Sequence, residues 1–202
     1  MMLVIRKISL LILPVCFIVT YGCREVTTPK PKGHFRIDLP EKEYHLFTGQ
    51  MTSNFNLPLT FEYPSYGNLV TPVEQRSDPG WLNIEFPAYR AKIYLTYKKV
   101  EKDFGGLMEQ TYKMNVKNHI TKADAINEQV FADREKKVYG VLYDLKGNTA
   151  SAVQFYVTDS LNHFLRGSLY FSAEPNADSL APVIEFFRKD IIHLIETLKW
   201  KK

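Results

Sequence analysis

The sequence predicts a single α+β domain in which helices lie on a mainly antiparallel sheet. Runs of alternating apolar and polar residues recur along the chain, as in strands with one buried face. Two longer segments, near residues 103–125 and 178–198, instead repeat their apolar residues every three or four positions, as amphipathic helices do. Removal of an N-terminal export signal leaves 180 of the 202 residues, enough for one domain with a sizeable core.

The first 22 residues have the composition of that export signal. Arg6 and Lys7 precede an apolar run at residues 8–19. This run is too short for a stable membrane span, which needs roughly 20 apolar residues. A charged start followed by a short apolar stretch is typical of a signal peptide. Cleavage after Gly22 leaves Cys23 as the only thiol of the mature chain, because Cys16 is removed with the signal.

A cysteine at the new N-terminus predicts lipid attachment at Cys23. The sulfur would carry a diacylglycerol and the amino group an acyl chain such as palmitate, and two or more chains give stable anchoring. Thr20 and Tyr21 are unusual before such a cleavage site, so an ordinary secretory signal with an unrelated cysteine is the alternative. Residues 23–33 are polar and contain proline, which predicts an extended tether ahead of a domain at residues 34–202.

Period-two patterns place the strands along this domain. Residues 60–63 are a short first candidate. Leu82, Ile84 and Phe86 alternate with polar residues, and a similar run at residues 89–97 follows, so a hairpin is expected. Further strands are predicted at residues 127–132, 136–145, 151–158 and 163–172, with turns at residues 147–148 and 159–162. We expect the last pair to bury Val153, Phe155, Val157, Leu165, Leu169 and Phe171.

Each predicted helix has one apolar side. The first carries Phe104, Met108, Tyr112, Val116, His119 and Ala123, and we expect His119 to be packed and hydrogen-bonded rather than a ligand. The second begins at an Asn176 or Asp178 cap and tolerates Pro182 in its first turn. Its seam, which packs on the domain's own sheet or on a partner helix, contains Leu180, Ile184, Phe187, Ile191, Leu194 and Leu198. This order of elements resembles the sandwich shared by Mog1-like and PsbP-like proteins.

Composition and motifs favour neither nucleic-acid binding nor a metal or cofactor site. The signal removes two positive charges, so the net charge falls from +4 to +2, too low for a basic nucleic-acid surface. No cysteine is left for zinc, the five histidines lie far apart, and no phosphate-binding loop occurs. One turn, residues 158–163, brings Asp159, Ser160 and His163 together, which allows a hydrolase hypothesis. The other interpretation is that these side chains hydrogen-bond the backbone of their own turn.

Several longer motifs resemble one family. Residues 30–40 read Lys-Pro-Lys-Gly-His-Phe-Arg-Ile-Asp-Leu-Pro, and residues 154–160 read Gln-Phe-Tyr-Val-Thr-Asp-Ser. Together with residues 61–64, 91–97, 137–140 and 162–171, and with Trp81 and Trp200, they resemble GldD, a gliding-motility lipoprotein of the Bacteroidetes. The resemblance implies a role in the envelope machinery that moves cells over surfaces and in the linked type IX secretion. It brings no catalytic mechanism, cofactor or settled binding site.

The leading hypothesis is therefore a non-enzymatic, lipid-anchored protein that acts by contact with other envelope proteins. Its domain is expected to face the periplasm, held in either the inner or the outer membrane. The candidate interaction residues are Arg36, Asp38, Asp159, His163 and Arg166, which could instead form ion pairs at sheet edges. The alternatives are a hydrolase that uses Ser160 and His163, and a glycan- or peptidoglycan-binding protein with a pocket lined by tyrosine and Trp81.

Overall fold

The structure, a computed structural model, describes residues 36–52, 55–72, 80–101 and 103–201. The predicted signal peptide (residues 1–22), the lipid-attachment site Cys23 and the predicted tether (residues 23–33) lie outside the described residues. The described ranges belong to one compact unit, Phe35–Lys202. Within those ranges, no helix is long and apolar enough to cross a membrane.

The described residues form twelve strands and two α-helices. In chain order the strands are β1 (Tyr44–Phe47), β2 (Gln50–Thr52), β3 (Phe55–Asn56), β4 (Leu59–Pro64), β5 (Asn68–Val70), β6 (Trp81–Phe86), β7 (Ala91–Lys99), β8 (Ala125–Asp133), β9 (Val138–Lys146), β10 (Ser151–Thr158), β11 (His163–Phe171) and β12 (Lys199–Trp200). The helices are α1 (Phe104–Tyr112), which continues into a π-helical turn at Lys113–Lys117, and α2 (Ala177–Thr197). Neighbouring strands pair antiparallel throughout, so the predicted α+β class is confirmed.

Seven of these strands form the main sheet, in the order β5-β6-β7-β11-β10-β9-β8. The chain leaves the sheet after β7, passes through α1 to the far edge strand β8, and returns by three successive hairpins until β11 pairs with β7. A smaller sheet has the order β1-β4-β12, and β2 pairs with β3 in a two-stranded ribbon. The long connection through α1 therefore spans the width of half the main sheet.

The inner face of the main sheet packs against α2 and contains most of the core. Leu82, Ile84 and Phe86 are fully buried on this face, as their alternation predicts. The seam of α2 packs on it, with the Phe187 ring centroid 4.4 Å from that of Phe86. Asn176 caps this helix by accepting a hydrogen bond from the Ser179 backbone N–H at 3.1 Å. The domain's own sheet, not a partner helix, thus covers the seam.

The outer face of the main sheet carries α1 and its π-helical turn. Val116 packs there against Tyr143 and Leu145 of β9. The predicted apolar stripe is only partly correct, because Tyr112 is 46% exposed whereas Asn115 is fully buried. The π-helical turn inserts one residue into the helical repeat, which rotates Asn115 and the residues after it away from the predicted 3.6-residue stripe. Tyr112 precedes this turn, and the buried side of α1 contains Thr111 instead.

Candidate functional site

Two of the predicted interaction residues, Arg36 and Asp38, lie on the surface next to the predicted tether. Arg36 Nε donates to Asp38 Oδ1 at 2.8 Å, and the two side chains are 89% and 81% exposed. The Asp38 carbonyl accepts a hydrogen bond from the Tyr89 hydroxyl at 3.1 Å. The backbone is thus joined to the domain at this point, while both charged groups face solvent and are accessible to another protein.

Asp159 holds together the turn between β10 and β11. Its Oδ1 accepts hydrogen bonds from the backbone N–H groups of Leu161, Asn162 and His163 at 3.0, 2.8 and 2.8 Å. Burial raises the pKa of this carboxyl, but the three backbone donors outweigh it and hold the pKa below the usual range. The Asp159 side chain therefore hydrogen-bonds the backbone of its own turn, which is the alternative to the hydrolase hypothesis for residues 158–163.

His163 takes part in an aromatic contact rather than in a pair with Ser160. Its Nδ1 lies 2.8 Å from the Tyr97 hydroxyl, and its ring stacks on Trp200 with a centroid distance of 5.1 Å. Among the described residues, no hydrogen bond joins the side chains of Ser160 and His163. The proximity in sequence that suggests a hydrolase thus does not become a nucleophile–base contact here.

Arg166 lies on the outer face of the sheet, beneath α1. It lines a pocket together with Trp81, Thr96, Lys98, Leu107, Gln110, Thr111, Met114 and Phe164. Burial lowers the pKa of its guanidinium group. Since residues 163 and 166 of one strand face opposite sides of a sheet, His163 and Arg166 cannot share a surface. The five predicted interaction residues are therefore distributed over separate parts of the domain.

A buried carboxylate that sequence reasoning missed forms the densest polar cluster. Asp190 of α2 has a fully buried side chain. It accepts hydrogen bonds from Lys42 Nζ at 2.7 Å, the Tyr44 hydroxyl at 3.0 Å and the Tyr66 hydroxyl at 2.6 Å. We refer to Lys42, Tyr44, Tyr66 and Asp190 as the Asp190 cluster. Lys42 lies two residues before the start of β1, so the cluster fastens the N-terminal segment of the domain to its long helix.

The electrostatics of the Asp190 cluster favour a structural ion pair. Burial lowers the pKa of Lys42, although the Asp190 carboxylate opposes that shift. Burial also raises the pKa of Tyr44 and Tyr66 far above the usual range, and the carboxylate adds to the effect. Both phenols therefore stay protonated and donate to Asp190. Lys42 also donates a hydrogen bond to the Phe186 carbonyl at 2.9 Å. The ammonium, which is only partly exposed, thus has protein acceptors in place of the water it loses on burial.

The neighbouring side chains extend this connection into the small sheet. The His193 ring stacks on Tyr44 at a centroid distance of 3.7 Å, and its Nε2 lies 2.6 Å from Glu62 Oε2. Strands β1 and β4 are thereby both linked to α2 by polar contacts. A partial signal for the cluster exists in the sequence, because Asp190 stands three residues after Phe187 and four before Leu194, within the apolar stripe of the helix. Nothing near Lys42 in the sequence marks it as the partner.

No arrangement suited to a metal ion occurs in the part of the chain that the structure describes. Groups of three or more His, Cys, Asp or Glu side chains that could hold a metal are absent from it. The contacts within the Asp190 cluster are hydrogen bonds and one ion pair.

Comparison with known proteins identifies the family. No curated protein matches the chain. Among solved structures, the chain is similar to cyanobacterial PsbP (CyanoP) from Synechocystis sp. PCC 6803, with 12% identity and a TM-score of 0.48 over 85% of this chain and 99% of that one. The family model described as gliding motility lipoprotein GldD matches residues 24–200, well over half of the 202-residue chain. The chain therefore belongs to the GldD family of gliding motility lipoproteins, membrane-anchored proteins of the bacterial cell envelope.

Proposed function

We propose that this protein is a non-enzymatic component of the gliding machinery that acts by protein–protein contact while its lipid holds it at the membrane. In this proposal the domain faces the periplasm and works with the type IX secretion linked to gliding. The observation that carries the proposal is the Asp190 cluster, which joins the segment after the tether to the long helix of the domain. Such a junction suits a protein that is held at one membrane and contacts others there.

The distance from the lipid to this junction limits where partners can be found. Lys42 is the nineteenth residue after Cys23. A fully extended chain of that length spans at most about 65 Å, at roughly 3.4 Å per residue. The domain is thus confined to a thin layer beside one membrane, and the confinement raises its effective concentration for partners in the same layer. The lipid would contribute to function through this confinement without any direct part in the contact.

The exposed Arg36–Asp38 pair is the best candidate for such a contact among the predicted residues. It lies at the tether end of the domain, and exposed ion pairs of this kind contribute little to stability. Substitution of either residue therefore removes a charged recognition group without weakening the fold. Asp159 differs, since its loss would disrupt a turn.

Single-cell movement on glass tests the proposal. We expect a clean deletion to stop movement, the wild-type gene to restore it, and Cys23→Ser, which removes the lipid, to fail at normal abundance. Arg36→Ala and Asp38→Ala should impair movement at unchanged abundance, whereas Arg134→Ala, at another exposed arginine, should not. Normal gliding of the deletion strain would overturn the assignment. Full rescue by Cys23→Ser would show that confinement at the membrane is unnecessary.

A further inference from the structure

The pocket between α1 and the outer face of the main sheet has the features of a ligand site. Its volume is about 150 Å³, and its lining includes the exposed residues Lys98 and Gln110. Leu107, Met114 and Phe164 supply apolar walls, together with the ring of Trp81. A cavity of this size accommodates one benzene-sized group. The pocket is therefore large enough for the end of a small molecule or of a peptide.

The charge in this pocket is of one sign. Lys98 and Arg166 line it, and no acidic residue does. Among the described residues, Arg166 has no carboxylate partner; its side chain contacts the Met114 thioether, which is a weak acceptor. Burial takes the charged guanidinium partly out of water and so lowers the pKa of Arg166. An anion in the pocket would offset that cost.

Trp81 provides an independent sign of a missing acceptor. Its indole N–H is buried and has no hydrogen-bond partner within the described residues. Leaving a buried donor unpaired costs about 1–3 kcal/mol, so native proteins rarely do so without a reason. The other tryptophan is satisfied, because its Nε1 donates to the Lys137 carbonyl at 3.0 Å. This N–H is closed to a molecule the size of water, so an acceptor reaches it only if side chains around the pocket move when a ligand binds.

The composition of the walls selects among anions and against a neutral sugar. A planar guanidinium binds the two oxygens of a carboxylate in a bidentate manner. Thr96, Gln110 and Thr111 add neutral hydrogen-bonding groups to the lining. Leu107, Met114 and Phe164 give the pocket an apolar side, which favours an anion joined to an apolar group over a bare phosphate or a sugar. No tyrosine lines the pocket, so it lacks part of the aromatic surface expected for glycan binding.

We propose that this pocket binds a carboxylate attached to a benzene-sized apolar group. Arg166 holds the carboxylate, Lys98 adds a second positive charge, and Leu107, Met114, Phe164 and the ring of Trp81 enclose the apolar group. Such chemistry occurs in a free aromatic acid and in a peptide whose C-terminal residue is apolar. The inference is independent of the proposed function, because it concerns a different face of the domain from the Arg36–Asp38 pair.

Binding can be measured by NMR on the lipidated protein in detergent micelles, with ¹⁵N in the two tryptophan indoles. The probes are 3-phenylpropionate, acetyl-Gly-Gly-Phe with a free carboxylate, and the same peptide as its neutral amide. We expect the Trp81 indole signal to shift with the acids at a Kd of about 0.1–1 mM, because the Trp81 ring lines the pocket. The Trp200 signal should stay in place because its N–H is already bonded. Tighter binding of the peptide than of phenylpropionate identifies a peptide terminus, and the reverse order identifies a free acid.

Two neighbouring lysines supply a matched control for charge. Lys98 lines the pocket, whereas Lys99 is equally an exposed residue of β7 but points to the opposite face. Lys98→Gln should weaken binding of the acids severalfold and Lys99→Gln should leave it unchanged. Arg166→Gln should weaken it at least tenfold, with the Trp200 signal showing whether the fold is kept. Equal binding of the acid and the amide, or no shift with either acid at about 10 mM, overturns the proposal.

Discussion

Replacement of Asp190 by alanine should be among the most destabilising changes at a polar residue in this domain. The carboxylate is fully buried and receives three hydrogen bonds, from Lys42, Tyr44 and Tyr66. Removing one partner of a buried ion pair costs about 3–5 kcal/mol, because the other charge is left uncompensated. Lys42 keeps 28% of its side chain exposed and can regain some hydration. We therefore expect the free energy of unfolding to fall by about 3 kcal/mol, the lower end of that range.

Urea denaturation of the mature chain carrying Cys23→Ser, followed by tryptophan fluorescence, measures this change. The exposed pair provides the control, and Arg36→Ala should change the free energy of unfolding by less than about 0.5 kcal/mol. A double-mutant cycle with Lys42→Met separates the pair from the rest of the cluster. The double variant should be less destabilised than the sum of the single changes, since no lone charge then remains buried.

The reasoning would be refuted by a loss below about 1 kcal/mol for Asp190→Ala, which is the range of exposed ion pairs. Strict additivity of Lys42→Met and Asp190→Ala would also contradict it, because it would show that the two residues do not interact. In either case the junction between the tether segment and α2 would depend on apolar contacts alone.

Three further predictions concern single residues. Asp159→Asn should lower the free energy of unfolding by about 1 kcal/mol at pH 7, because the amide makes weaker hydrogen bonds to the turn. The pKa of Asp159 in the folded protein lies below 3.8, so the stabilisation by this carboxylate is present above that pH and is lost as the pH falls through the folded pKa. Urea denaturation of the wild type at several pH values would detect this loss. His119 should titrate below pH 6.5 in NMR, since burial lowers the pKa of its imidazole. Its Nε2 lies 2.9 Å from the Gln154 amide nitrogen, so the neutral ring accepts a hydrogen bond from that amide. A titration midpoint at or above pH 6.5 would contradict this contact. Gly167→Ala should destabilise by about 1–3 kcal/mol, because an added Cβ would overlap the Phe155 ring, whereas Gly105→Ala, with open space in a helix, should stabilise by about 0.5–1 kcal/mol; equal effects in thermal unfolding would refute the packing argument.

The period of apolar residues along the sequence predicts the long strands and helices, because it depends on which side of each element is buried. The strands expected at residues 127–132 and 163–172 are observed at Ala125–Asp133 and His163–Phe171, and the second helix is observed at Ala177–Thr197. Five short strands of two to four residues, β1, β2, β3, β5 and β12, were not predicted. A period of two cannot be recognised over so few residues, and their pairing depends on contacts with distant strands.

The candidate sites divide in the same way. Export, lipid attachment and family are readable from the sequence, because each depends on a contiguous stretch of residues. The functions of Asp159 and Arg36 in the fold are also local, since their partners lie within four positions. The Asp190 cluster instead joins residues up to 148 positions apart, and the pocket beneath α1 takes its walls from β6, β7, α1, the π-helical turn and β11. A sequence pattern shows that a side chain is buried, but only the tertiary structure decides which distant side chain it contacts. The reason is that the contact and its free energy arise only when the fold brings the two segments together.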